Sequence, residues 1–301
     1  MLLVESPSPS CSRIALLVIL CGCFHVPSDG FTPAAHLQRS LHRLVLCAGQ
    51  SSGEPRVYVE TIDEGQALVV DGTFASLYRP GKVSTNCVWD ALAVPMLALP
   101  QERRRRVLLL GLGGGSVARI VRALAPEAEI VGVELDAEVI AVAREHFGLD
   151  DMALEVIEGD ALEFLRSDTR SFDYIVDDVF IGDCDTVCRP DWFPFALDLE
   201  CERLRTGGVL VSNSIDEHKA VARHLRGHLR RGTFGPEGTL VRVDVKDYSN
   251  HIFALGPPSL SGSSLREAVG SNVHLAESLE VLSFCTVEHG IFKSRGVNKK
   301  K

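Results

Sequence analysis

The sequence predicts a doubly wound α/β fold of the Rossmann-like kind, a mostly parallel sheet preceded by a small N-terminal antiparallel β-meander. Three observations carry this expectation. From Arg106 onward, short apolar runs alternate with helical stretches, and that alternation calls for right-handed crossovers with helices covering a parallel sheet. The first run, "VLLL", leads into "GLGGG" at residues 111–115 and then into a helix-like segment; glycines there let backbone approach a ligand closely and open a helix N-terminus to it. Upstream, Arg56 to Tyr78 holds β-branched runs broken by "DEGQ" and "DG", the turn chemistry of antiparallel strands.

The elements follow in order. Strands are expected at Val107 to Leu110, Glu129 to Val133, Leu154 to Ile157, Tyr174 to Val176 and Val209 to Val211, with helices such as Ala137 to Phe147 and Trp192 to Leu204 between them. Leu240 to Leu255 reads as two further strands around "DYSN", an antiparallel pair closing the sheet edge. The chain therefore divides into a leader (1–52), the meander with a first helix (53–100), the sheet domain (101–258) and a C-terminal extension (259–301).

Composition excludes some functions. With 301 residues, 46% of them hydrophobic and a net charge of −9, the chain can bury a full core, and it lacks the basic footprint of a nucleic-acid binder. The run Arg103 to Arg106 reads as a solvated edge before a buried strand. Ile14 to Phe24 is apolar but shorter than a membrane span, which resembles a secretory signal, so no membrane span is expected in the mature chain. Phe31 to Ser52 has no acidic residue and carries Arg39 and Arg43 among leucines. A signal followed by such a segment resembles the bipartite plastid leaders of algae with secondary plastids; the secretory pathway and the cytoplasm stay open as alternatives. Of nine cysteines, five (Cys87, Cys184, Cys188, Cys201, Cys285) lie in the body and are expected as free thiols without a metal. His218, His224 and His228 fall on one charged helical stretch and receive no role.

In a doubly wound sheet the ligand lies beyond the carboxyl ends of the strands. Those ends carry Gly111, Gly113, Gly114 and Gly115, then Glu134, then Asp160 with Ala161, then Asp177 and Asp178. An acid at position 134 can accept from ribose hydroxyls, one at 160 from an adenine amine, and either can instead cap a helix. Asp178 precedes a loop and is the candidate catalytic group, while strand alternation turns Asp177 to the opposite side.

This set resembles the class I methyltransferase fold, and within it the spermidine-synthase-like branch, over about Arg56 to Leu255. The resemblance implies an adenosyl donor held by Gly111, Gly113, Gly114, Gly115, Glu134, Asp160 and Ala161. It places the family's catalytic loop Asp on Asp178, with Asp177 beside it, and the amine-lining Tyr-Gln pair on Trp89 and Asp90. Two departures stand out. The family's turn Asp, which holds the donor ammonium, falls on Gly114, and its second loop Asp falls on Ile181. An Asp would repel the carboxylate of intact S-adenosyl-L-methionine (AdoMet), whereas a glycine would leave backbone amides exposed to it. The expectation is therefore an AdoMet-dependent methyltransferase acting on an amine-bearing protein or small molecule. The alternatives are an aminopropyltransferase using decarboxylated AdoMet and a non-catalytic adenosyl-binding scaffold. A homodimer is an open expectation, and Asn213 resembles the same branch.

Overall fold

The computed structural model describes residues 55–183 and 186–287. The leader and the end of the C-terminal extension lie outside them, as does Cys184.

The meander forms as three strands, β1 (Val57–Ile62), β2 (Gly65–Val70) and β3 (Thr73–Tyr78), paired antiparallel in the order β1-β2-β3. The β2–β3 turn places Asp71 and Gly72 at φ 48° and 75°, the left-handed pair that a two-residue hairpin requires. A short helix, α1 (Val88–Ala93), leads into the main domain. There β4 (Arg106–Leu110), α2 (Ser116–Leu124), β5 (Glu129–Glu134), α3 (Ala137–Phe147), β6 (Glu155–Glu158), α4 (Ala161–Ser167) and β7 (Phe172–Asp177) alternate as expected. After β7 come a loop, α5 (Phe193–Arg203), β8 (Leu204–Ser214), α6 (His218–Arg230), β9 (Thr239–Val245) and β10 (His251–Gly256).

The eight-stranded sheet runs β11-β9-β10-β8-β7-β4-β5-β6, with β11 at Leu282–Thr286. Pairs among β4 to β8 are parallel, and β8/β10, β10/β9 and β9/β11 are antiparallel. The antiparallel pair β9/β10 was expected at the sheet edge; β11 closes the edge instead. It arrives after α7 (Gly262–Ser271), so residues 259–287 complete the sheet rather than trail from it.

Strand order reverses between β5 and β7 on either side of β4, so the crevice opens where β4 and β7 end. Two apolar layers hold the sheet. One includes Leu92, Met96, Ile120 and Tyr174 on the α1/α2 side, and the other includes Ile175, Leu197, Leu225 and Phe253 on the α5/α6 side. β7 is buried on every residue, as a central parallel strand must be. Cys87 and Cys201 are buried free cysteines, and Cys188 and Cys285 are exposed ones. No helix among the described residues is long and apolar enough to cross a membrane.

Candidate active site

Asp178 follows β7 directly, and its backbone N–H donates to Leu110 O at 2.9 Å, which sets it against the turn leaving β4. The approach is close: a Cβ on Gly111 would stand 2.4 Å from Asp178 O, and Gly111 has φ +79°. Both facts require glycine at 111. The Asp178 side chain is half-buried and accepts from Asn213 Nδ2 at 2.7 Å, while Asn213 Oδ1 accepts from Asn250 Nδ2 at 3.0 Å. Two amides in series thus aim one N–H at the carboxylate. Burial pushes the Asp178 carboxyl up to about 7; the Asn213 hydrogen bond and the Arg189 charge oppose the rise, and Asp177 and Glu134 add to it. A carboxyl poised near neutrality can take a proton and give it up again.

Glu134 ends β5 half-buried, its Oε2 accepting from Gly113 N–H at 2.8 Å and its Oε1 from Asp136 N–H at 3.2 Å. Burial raises its pKa, and the Gly113 and Asp136 amides hold the rise back. Each carboxylate oxygen has a second lone pair for a ligand hydroxyl. Asp160 is the N-cap of α4, its Oδ1 accepting from Glu163 N–H at 2.9 Å; Ala161, the first residue of that helix, is buried. Both positions lie at the carboxyl ends of their strands, and Asp160 does the capping work that was its alternative reading.

The turn itself departs from expectation. Gly111 and Leu112 N–H donate to Val133 O at 3.0 and 3.1 Å, and Gly115 N–H to Leu112 O at 3.0 Å. Gly113 N–H goes to Glu134, and Gly114 N–H to Ser76 Oγ at 2.7 Å. All five amides from 111 to 115 are therefore engaged inside the protein, and none is offered to a ligand carboxylate. Gly114 is small for another reason: a Cβ there would stand 2.8 Å from Ser76 Cβ and 3.2 Å from the Phe147 ring. β3 lies against the turn, and Ser116 Oγ fastens it by accepting from Leu77 N–H at 2.9 Å and donating to Leu77 O at 3.0 Å.

Trp89 and Asp90, expected on the acceptor side, are placed elsewhere, and so is Asp177, which the resemblance sets beside Asp178. Trp89 is a core residue, packed edge-on to Phe74 with centroids 5.0 Å apart. Asp90 is fully buried and accepts from Thr85 N–H, Thr85 Oγ1, Asn86 N–H and Ser278 Oγ at 2.6–2.8 Å. Burial raises its pKa against those donors, and it ties the loop before α1 to the C-terminal segment. Asp177 points to the opposite face from Asp178. It is 1% exposed, forms a buried ion pair with Arg189 and accepts from Ser212 Oγ at 3.2 Å.

Sequence reading missed Ser76, Asn250 and Arg189. The Arg189 guanidinium lies 3.9 Å from the Phe193 ring centroid and 5.2 Å from that of Phe180, so the loop after Asp178 is pinned from beneath. The loop also closes on itself through the bridge between Ile181 and Cys188. Nothing local marks these residues; each acquires its role from a partner on another element.

With the geometry in place, known proteins can be set beside it. Residues 107–190 match the family described as "Methyltransferase domain". A polyamine aminopropyltransferase 2 of Pseudomonas aeruginosa is 28% identical over 201 residues, 61% of this chain and 55% of the relative. A polyamine aminopropyltransferase of Chromobacterium violaceum is 35% identical over 114 residues, 36% of this chain and 42% of the relative. The chain thus spans about half the length of these curated relatives. A probable spermidine synthase from Corynebacterium glutamicum superposes with TM-score 0.57 at 18% identity, over 76% of this chain and 87% of that one. Such likeness establishes the fold, and solved structures of both spermidine synthases and a methyltransferase share it.

The resemblance to the spermidine-synthase-like branch stands. The methyltransferase reading built on it is corrected, because the curated relatives are polyamine aminopropyltransferases. The physical premise of that reading also fails, since the amides meant for the AdoMet carboxylate are already taken.

Proposed function

We propose that this chain is an aminopropyltransferase, moving an aminopropyl group from decarboxylated AdoMet to a small amine. The observation that carries the choice of donor is the closed set of amides at 111–115: the turn has nothing to offer a carboxylate, which suits a donor that lacks one. The relatives' names support the same reaction class.

The residues present fit an adenosyl sulfonium. Glu134 and Asp178 put carboxylates at the ends of β5 and β7, on either side of β4, where a cation is attracted, and Gly111 lets backbone pass close by. When bound, such a donor supplies an electrophilic carbon and a neutral thioether leaving group. Glu134 would hold the ribose and Asp160 the adenine edge. Asp178, ionised above about pH 7, accepts a hydrogen bond from the acceptor amine, orients its lone pair and takes its proton as the N–C bond forms and the C–S bond breaks. Asn213 keeps that carboxylate aimed. The loop anchored by Arg189 excludes water from one side.

Ile181 stands where the resembled family has its second loop carboxylate, so an acceptor with one amine suits the site better than a diamine. The test is release of the nucleoside thioether from decarboxylated AdoMet with propylamine or putrescine as acceptor. Turnover with decarboxylated AdoMet and a new secondary amine is expected. Tighter binding of intact AdoMet, with methylated amine as product, would overturn the proposal.

The organellar destination of the leader is likewise proposed from the composition of residues 1–52. Fusing them to a fluorescent protein and imaging the cell tests it, and diffuse cytoplasmic signal would count against it.

A further inference from the structure

On the outer face of the α5/α6 layer, away from the crevice, three side chains converge. His224 and His228 are one turn apart on α6, so they share a face of that helix. Their Nε2 atoms lie 3.0 and 2.9 Å from one oxygen, Asp198 Oδ1 on α5. The three ligating atoms all fall within 4.8 Å of one another, and the rings are tilted with centroids 5.4 Å apart. Two imidazole nitrogens directed at one carboxylate oxygen bring three ligand atoms of the kinds metals prefer to one point.

The geometry points to a divalent transition-metal site made by Asp198, His224 and His228, with zinc as the best-matched ion. Two imidazole nitrogens and one carboxylate oxygen form a borderline donor set suited to zinc. A tetrahedral zinc holds its ligand atoms about 3.4 Å apart, so the two contacts to Asp198 Oδ1 need to lengthen by only a few tenths of an ångström. His228 is nearly buried and Asp198 and His224 are partly open, with side chains 7%, 45% and 27% exposed. The fourth position therefore faces solvent and would be filled by water. Arg231 stands beside the cluster, its Nη2 3.7 Å from Asp198 Oδ1 on a side chain 59% exposed; it can swing outward as the metal enters.

The ion would join α5 to α6. The first residue of α5, Phe193, carries the ring beneath Arg189, so a metal at Asp198 braces the helix that anchors the loop after Asp178. The site is separate from the donor crevice and does not depend on which group that crevice transfers.

The test uses the full chain, stripped with a chelator and dialysed against zinc chloride, with metal content per chain and thermal midpoint measured. One retained zinc per chain and a raised midpoint are expected, since an ligand bound only by the folded state shifts unfolding by mass action. His224→Gln and Asp198→Asn, both at partly open positions, should each weaken zinc binding by roughly the 10- to 100-fold that loss of even an outer partner costs, or more. Each should also lose the zinc-dependent midpoint shift while keeping the zinc-free midpoint. Lys219→Ala, on α6 but outside the cluster, should retain zinc. No zinc retained by the unmodified chain, or equal retention by His224→Gln, would overturn the site.

Discussion

Asp177 and Asp178 are adjacent in sequence and opposite in circumstance. Asp177 turns into the α5/α6 layer, where Arg189 and Ser212 hold it. Asp178 turns toward the crevice, where one amide holds it and burial lifts its pKa to about 7. The pleat makes the division, since successive strand residues face opposite sides. The carboxylate locked by a cation keeps the fold, and the one left under-partnered keeps its chemistry.

Breaking the locked side should have the largest effect. Arg189→Ala leaves Asp177 buried beside Glu200, itself fully buried and raised well above the usual carboxyl range by burial and by Asp177. We expect a loss of roughly 3–5 kcal/mol, the usual cost of removing one partner from a buried ion pair, read by urea denaturation. A variant as stable as the parent would show that Arg189 is not the anchor.

Breaking the open side should cost activity and not stability. Asp178→Asn should lower turnover by roughly 10²-fold or more while leaving donor affinity within a few-fold. In the parent, kcat/KM should rise as pH increases through about 7, as the carboxylate forms. Stability moves the other way. The folded-state pKa lies above the unfolded one, so this group's contribution is complete below about pH 4 and is lost as pH rises through about 7. Asp178→Asn should therefore melt at or above the parent's midpoint at pH 8, and a clear drop there would mean that Asp178 is structural.

The glycine turn sharpens the contrast between packing and chemistry. Gly114→Ala drives a Cβ into Ser76 and Phe147 and should cost about 1–3 kcal/mol of stability by overpacking, with or without donor. Relief by Ser76→Gly in the same chain would confirm the contact; unchanged stability with altered donor preference would contradict it.

Asn250 should matter less. Asn250→Ala frees the Asn213 amide, whose hydrogen bond lowers the Asp178 pKa, so the pH midpoint of kcat/KM should move upward with a few-fold loss of rate at pH 7. An unmoved profile would remove Asn250 from the site. The smallest effect is expected from deleting residues 1–52: the described fold begins at residue 55, and its thermal midpoint should not change.

Much of this was legible beforehand. The alternating runs from Arg106 onward identified the parallel sheet because strand and helix periodicities are local properties of a few consecutive residues. Position at strand ends likewise brought Gly111, Glu134, Asp160 and Asp178 to one crevice, for the doubly wound topology dictates where those ends meet. Even the opposed directions of Asp177 and Asp178 follow from the pleat. Trp89 and Asp90 were misread because their register beside α1 says nothing about what lies across from them, and Ser278, which closes the shell around Asp90, is 188 positions away.

What the sequence by itself determined, then, was the fold and the identity of the carboxylates at its crevice, since both arise from short-range periodicity and sheet topology. Tertiary structure alone decided what each group is free to do. Gly114 looked empty in order to admit a ligand; in the folded chain Ser76, 38 positions earlier, fills the space and takes its amide. A residue's availability depends on partners that only packing supplies, and a buried polar group that finds one is no longer offered to a substrate.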